Sequence, residues 1–123
     1  LVDRAVDFDG PGAIGDFIGG QLEQFDFFEF VILNTVHDID AGRGVAAARM
    51  YMQEARQNVA DGKRSDTYGV YHDRFDRDPD GRWWFARRHY QSYARTNPPG
   101  ADTDLTVFEL PTMSLADLRA DDG

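Results

Sequence analysis

Tyr71, His72 and Asp73 stand side by side in this sequence, and each has a group that exchanges a proton. An imidazole changes charge near neutral pH, so His72 is a candidate general acid or base. A carboxylate in apolar surroundings has a raised pKa and can move protons, which makes Asp73 and Glu54 the next candidates. Tyr71 or Tyr51 is placed to donate a hydrogen bond beside them. These residues predict proton transfer that needs no cofactor.

Each candidate also fits a purely structural role. His72 can lie on the outer face of a sheet beside Arg74 and pair with a neighbouring strand. Asp73 can form an ion pair with an arginine across the sheet, and Glu54, close to a turn, can be solvated or ion-paired. Both interpretations of these residues stay open at the level of the sequence.

The region around these residues divides into four long segments, joined by three turns that contain glycine. The segments are residues 27–38, 45–57, 65–76 and 82–93. Turns this short force antiparallel pairing, and strands this long twist and curl. The second segment is rich in alanine and is compatible with a helix, but its position between two strands favours a strand. A curved antiparallel meander is therefore predicted.

Shorter elements are predicted at both ends of the meander. Pro11 begins a short helix that runs to Ile18, and the glycine pair 19–20 ends it. Residues 105–110 add a short strand or an extended tail. Ser114 caps a last helical turn, with Asp117 in its third position.

Strict alternation along the strands divides their side chains between two faces. Phe30 and Asn34 then share one face of the first strand. On the third strand Tyr71 and Asp73 share a face and His72 takes the other. On the fourth strand Trp83 lies opposite to Arg88.

The composition excludes several classes of protein. With 22 acidic against 13 basic residues, the net charge of -9 repels nucleic acid and anionic lipid. No apolar run reaches the ~20 residues of a membrane helix. The chain has no cysteine, which excludes disulfides and thiolate metal sites and fits the cytoplasm, where we place it. The three histidines lack metal-ligand spacing, so no metal and no cofactor are expected.

A resemblance to a known family rests on two motifs. The residues that carry it are Gly69, Tyr71, Asp73, Gly81, Trp83 and Arg88. A Gly-x-Tyr-x-Asp strand, a turn, then Gly-x-Trp and an arginine resemble the SnoaL-like branch of the nuclear-transport-factor-2-like superfamily. Residues 33–51 fit the preceding hairpin, and the resemblance covers about residues 10–93. That superfamily includes polyketide cyclases, scytalone dehydratase and ketosteroid isomerase.

The resemblance implies an α+β fold in which a strongly curved antiparallel sheet, a cone-shaped barrel, surrounds a pocket closed by helices. Two or three helices normally precede the first strand and only one short helix is predicted here, so we expect N-terminal helices to be missing from this chain or the chain to rely on a partner subunit. Residues 1–96 would form the cone domain and residues 97–123 a C-terminal tail. The residues expected to bind a ligand in the pocket are Phe28, Phe30, Asn34, Met50 and Trp83, with Asn34 orienting it.

The resemblance further implies a small apolar ligand, a homodimer through the outer sheet face and, for an enzyme, cyclisation, isomerisation or dehydration. Glu54, Tyr71, His72 and Asp73 are the expected catalytic residues. Phe30 stands where scytalone-dehydratase-like members usually carry a histidine, which argues against that particular activity. The alternatives are a non-catalytic module for ligand binding or dimerisation, and an accessory subunit of an oxygenase.

Overall fold

The computed structural model describes residues 8–110 and 113–120, which contain five strands and two helices. The elements are α1 (Gly10–Leu22), β1 (Phe25–Asp40), β2 (Val45–Asn58), β3 (Arg64–Arg77), β4 (Trp83–Thr96), β5 (Leu105–Val107) and α2 (Leu115–Ala120). The four predicted strands are confirmed, including the alanine-rich second one. So are the short strand after residue 104 and the final helical turn, where Ser114 Oγ accepts a hydrogen bond from the Asp117 amide at 3.3 Å.

The strands form one sheet in the order β1-β2-β3-β4-β5, and every neighbouring pair is antiparallel. The predicted α+β class with a curved antiparallel sheet is confirmed, and the sheet is open rather than closed into a barrel. Neither described helix has the length and hydropathy needed to cross a membrane.

The first helix differs from its prediction, because it continues through Gly19 and Gly20 to Leu22. Glycine weakens a helix by about 1 kcal/mol per residue but does not remove its backbone hydrogen bonds. The amide of Glu23 still bonds to the Gly19 carbonyl at 3.3 Å. No residue of α1 is buried, and β1 is the strand that α1 contacts. The helix therefore leaves the rest of the sheet uncovered.

The strand register defines two faces, since residues directly opposite one another on paired strands project to the same side. We call one the Tyr71 face. Its members include Phe28, Phe30, Met50, Met52, Glu54, Gly69, Tyr71, Asp73, Trp83, Phe85, Arg88, Tyr90 and Ser92. We call the other the His72 face. Its members include Glu29, Asn34, Val36, Asp38, Arg49, Tyr51, Tyr68, Val70, His72, Arg74, Trp84 and Arg87.

Two bulges, each with one extra residue, change which side chains share a face. Ile32 pairs with Met52 and Asn34 pairs with Tyr51, so Leu33 is an additional residue in β1. A bulge of this kind reverses the alternation beyond it. Asn34 therefore lies on the His72 face, and its predicted position beside Phe30 is wrong. Ala86 is the matching extra residue in β4.

The bulge at Ala86 changes the prediction for the fourth strand in the same way. Phe75 pairs with Phe85 while Arg74 pairs with Arg87. Arg88 consequently joins Trp83 on the Tyr71 face, where strict alternation had separated them.

The buried core lies in the middle strands. Its apolar members are Ala46, Ala47, Ala48, Met52, Val70, Ala94 and Leu118. Leu118 comes from α2, which contacts β1, β2 and β3. The C-terminal segment is thus packed on the sheet, and it lies on the His72 face, where Arg119 contacts Asp38 at 3.1 Å.

Candidate functional site

An ion pair between Asp73 and Arg88 lies in the middle of the Tyr71 face. Arg88 Nε and Nη2 donate to the two carboxylate oxygens of Asp73 at 3.1 and 3.4 Å. Asp73 is 2% exposed. Burial raises the pKa of Asp73 above its ordinary 3.8, and the charge and hydrogen bonds of Arg88 oppose that rise. The arginine across the sheet is the structural partner that the sequence left open for Asp73.

The guanidinium of Arg88 also lies against two aromatic rings. Its central carbon is 3.9 Å from the centre of the Tyr71 ring and 4.6 Å from that of Phe85. Cation–π contacts at these distances hold the guanidinium on the rings. Asp73 and Arg88 therefore fix the position of Tyr71.

Tyr90 lies directly across from Tyr71, with the ring centres 4.9 Å apart. Its phenol rests on Gly69: a Cβ at that position would come within 2.4 to 2.7 Å of the ring and hydroxyl. The hydroxyl is 3.2 Å from that of Ser92. Burial raises the pKa of Tyr90 to about 12, so the phenol stays protonated and able to donate. Only glycine at position 69 leaves room for this arrangement.

Glu54 completes the group. Its side chain is about one fifth exposed, and Arg56 lies 3.9 Å away. Burial raises the pKa of Glu54 above 4.5, and the charge of Arg56 opposes the rise. Burial raises the pKa of both Tyr71 and Tyr90, and the negative charge of Glu54 adds to the rise. A carboxyl group with a raised pKa therefore shares a face with two phenols and interacts with them electrostatically.

His72 lies on the opposite side of the sheet from the other three predicted catalytic residues. It is 2% exposed, and its Nε2 accepts a hydrogen bond from Arg49 Nε at 3.1 Å. Burial lowers the pKa of His72 below 6.5, and the charges of Arg49 and His89 lower it further. Since Glu54, Tyr71 and Asp73 share the Tyr71 face, His72 is separated from them by the thickness of the sheet.

The predicted ligand-binding residues divide in the same way. Phe28, Phe30, Met50 and Trp83 lie on the Tyr71 face, and Phe30 reaches the site itself, with its ring centre 6.5 Å from that of Tyr71. Asn34 lies on the His72 face because of the bulge at Leu33. Four of the five residues are therefore on the side that carries Glu54, Tyr71 and Asp73.

Two hollows occur elsewhere, at the end of the sheet where β1 begins and β2 ends. One is lined by Gln24, Asn58, Val59 and Ala60, and the other by residues that include Phe27 and Arg56. The second hollow also contains the carboxylate of Glu29, but neither hollow is lined by a tyrosine, and the candidate site is identified by the phenols and carboxyl groups of the Tyr71 face. Within residues 8–110 and 113–120, no group of three or more His, Asp or Glu is arranged to hold a metal ion.

The sequence did not predict that Tyr90 belongs to the site, that its ring packs on Gly69, or that Arg88 is the ion-pair partner of Asp73. The available signal was positional, because residues 69, 71 and 73 must share a face with their partners on the next strand. The bulges at Ala86 and at Tyr93 shift the register of β4 and hide those partners from simple counting.

Comparison with known proteins agrees with this architecture. A search of the curated proteins returns no match. The SnoaL-like domain family matches residues 2–89, which span α1, the whole of β1 to β3 and the half of β4 that carries Arg88. The match covers well over half of the chain, and the open antiparallel sheet agrees with it. The chain belongs to the SnoaL-like domain family of the nuclear-transport-factor-2-like superfamily.

Proposed function

We propose that the chain binds a small apolar, ring-containing molecule on the Tyr71 face and catalyses proton transfer on it without a cofactor. The observation that carries the proposal is a half-buried carboxyl group, Glu54, with a raised pKa and two phenols within its electrostatic reach. Shared family membership does not choose a reaction, whereas the chemistry of these groups does.

The roles follow from the protonation states. Glu54 is the proton carrier, because desolvation brings its pKa toward the range where a carboxyl group both accepts and releases a proton. Tyr71 and Tyr90 donate hydrogen bonds to an oxygen on the ligand and favour negative charge there. Asp73 acts through Arg88, which holds the Tyr71 ring in place. Isomerisation, cyclisation and dehydration all use this combination of a base and hydrogen-bond donors.

The rings around these groups favour an apolar ligand. Phe28, Phe30, Trp83 and Phe85 lie on the same face, and between 38% and 56% of each side chain is exposed. Aromatic surface of this kind gains free energy when a flat apolar molecule covers it. Glu54, Tyr71 and Tyr90 supply polar groups among these rings, and a few polar groups in aromatic surroundings are the usual arrangement of a small-molecule site.

A thermal-shift screen tests the proposal, since a ligand that binds the folded chain must raise its melting temperature. The panel contains steroids, polyketide-like aromatics and terpenoid epoxides. We expect a compound whose effect is reduced in Tyr71→Phe and retained in Tyr68→Phe, which removes the same hydroxyl from the other face. Glu54→Gln should retain binding and lose turnover, with Glu29→Gln as its control. A shift that Tyr68→Phe abolishes and Tyr71→Phe retains would refute the site.

A non-catalytic role as a dimerisation module is the second candidate, supported by apolar residues exposed on the His72 face. Trp84 is 56% exposed and Val36 45% exposed there. Exposed apolar side chains on one face of a sheet fit the interface of a homodimer. Sedimentation of the unsubstituted chain and of Val36→Lys tests it: a dimer that this lysine dissociates supports the second candidate, and a monomer in both removes it.

A further inference from the structure

The C-terminal segment, residues 113–120, is attached to the His72 face through a small polar cluster. The backbone amide of Met113 donates to His72 Nε2 at 3.4 Å, and Arg49 Nη2 donates to the Met113 carbonyl at 2.6 Å. Arg49 Nε donates to the same His72 nitrogen at 3.1 Å. One imidazole nitrogen therefore accepts from both the neighbouring strand and the segment.

We propose that residues 113–120 form a pH-released strap, which is docked on the His72 face while the imidazole of His72 is neutral and detaches when it is protonated. The proposal is independent of the function assigned to the Tyr71 face. It rests on the direction of the hydrogen bonds: both the Arg49 and the Met113 groups are donors that point at Nε2. A proton on Nε2 would turn an acceptor into a donor and leave two donors facing a third.

The remaining attachments of the strap are few. Leu118 is buried against the sheet, and Arg119 lies 3.1 Å from Asp38 and 3.6 Å from Asp40. Asp38 and Asp40 are about one third exposed, and ion pairs with that much solvent contribute little. One buried leucine and two partly solvated ion pairs are a small anchor for eight residues, so the cluster at His72 decides whether the strap is docked.

The charges around His72 act in the same direction. Arg49 approaches it from β2, and His89 lies directly opposite on β4. Arg74, the next residue of β3 on this face, is paired with Asp76 at 3.1 Å. On β1, the carboxylate of Asp38 lies on this face and forms an ion pair with Arg119 of the strap. The charged partners that face the imidazole directly are thus positive.

The direction of the pH dependence follows from these contacts. The pKa of His72 in the docked state lies below 6.5, chiefly because of burial, and release of the strap removes part of that burial. Docking is therefore strongest above pH 6.5 and weakens as the pH falls, by about tenfold per pH unit, until the docked pKa is reached.

A spin label on the strap tests the proposal in the full chain. The sequence has no cysteine and Ala116 is exposed, so Ala116→Cys gives one attachment site for a nitroxide. Between about pH 8 and about pH 5 we expect the mobile fraction of the nitroxide spectrum to rise, by up to about tenfold for each pH unit between the released and the docked pKa. Far-ultraviolet circular dichroism should stay constant over that interval. Loss of the sheet signal together with mobility would mean global unfolding and would overturn the proposal.

Two variants separate the histidines. His72→Gln keeps a neutral acceptor at every pH and should abolish the mobility change, whereas His37→Gln, on the Tyr71 face, should keep it. A change that persists in His72→Gln refutes the strap. Proton NMR of the unsubstituted chain gives an independent check that needs no stable variant: the His72 titration midpoint should lie below 6.5 and coincide with the mobility change. A midpoint at or above 6.5 contradicts the proposal.

Discussion

The two faces of the sheet use buried charge in opposite ways. On the Tyr71 face, burial raises the pKa of Glu54 and of Asp73, against the opposing charges of Arg56 and Arg88. On the His72 face, burial and neighbouring positive charge lower the pKa of the imidazole, so that face favours a deprotonated base. Burial therefore favours the neutral form on both faces. For the carboxyl groups that is the protonated form, and for the imidazole it is the deprotonated form.

The faces also differ in what lies on them. The His72 face receives α2, whose Leu118 is buried, while the aromatic rings of the Tyr71 face remain exposed in the part of the chain that the structure describes. Residues 71, 72 and 73 are contiguous and still serve different surfaces. Neighbouring residues in a strand project to opposite faces, so the partners of Tyr71 and Asp73 come from the next strand instead.

The largest expected effect concerns the core beneath the candidate site. Met52 is 0% exposed and lies on the Tyr71 face, whereas its neighbour on that face, Met50, is partly exposed. Met52→Ala should lower the free energy of unfolding by about 3 kcal/mol, and Met50→Ala by about 1 kcal/mol, because a cavity forms only where the surroundings are closed. Urea denaturation measures both. Equal losses would mean that the Tyr71 face is as open at Met52 as at Met50.

The next effect concerns Gly69, on which the ring of Tyr90 packs. In Gly69→Ala the new Cβ would meet the phenol at less than 3 Å, so Tyr90 must leave its position across from Tyr71. We expect a loss of about 2 kcal/mol of stability and of ligand binding on that face. Gly15→Ala is the control, since nothing lies within 4 Å of a Cβ there, and in a helix it should raise helicity. A Gly69→Ala chain that binds normally would remove Tyr90 from the site.

The opposite titration of the two faces gives a pH prediction. The raised pKa of Glu54 contributes stability below pH 4.5 that is lost as the pH rises through its folded value. The lowered pKa of His72 contributes stability above pH 6.5 that is lost as the pH falls through its folded value. Relative to Glu54→Gln the unsubstituted chain should weaken with rising pH, and relative to His72→Gln it should weaken with falling pH. Thermal unfolding across the range measures both slopes, and slopes of the same sign would refute the contrast.

The smallest expected effect concerns the cap of α2. Ser114→Ala removes the acceptor of the Asp117 amide and should cost about 0.5 kcal/mol. Ser92→Ala, on the Tyr71 face, should leave the strap docked. Amide hydrogen exchange at Leu118 measures the difference: faster exchange in Ser114→Ala alone is expected, and equal exchange in both variants would mean that the cap does not hold the segment.

The sequence was sufficient for the meander, its turns and the face shared by Tyr71 and Asp73, because alternation and glycine-containing turns are local signals. It was insufficient for the position of Asn34, since a bulge at Leu33 depends on pairing with β2 and has no local mark. Likewise the contact between Met113 and His72 joins residues 41 positions apart, and no periodicity encodes it. The predicted end of α1 at Gly19 and Gly20 was wrong for a third reason. Helix propensity is a weak preference, and a continuous helix tolerates glycine.

The three methionines of the chain allow one direct test, because Met50 and Met52 lie on the Tyr71 face and Met113 lies on the strap. The measurement is methyl NMR of methionine-labelled protein, titrated with 2-naphthol as a flat apolar probe that bears one hydroxyl. We expect saturable shifts of the Met50 and Met52 methyls and an unchanged Met113 methyl. A shift confined to Met113, or no methyl response up to the solubility of the probe, would contradict the assignment of ligand binding to the Tyr71 face.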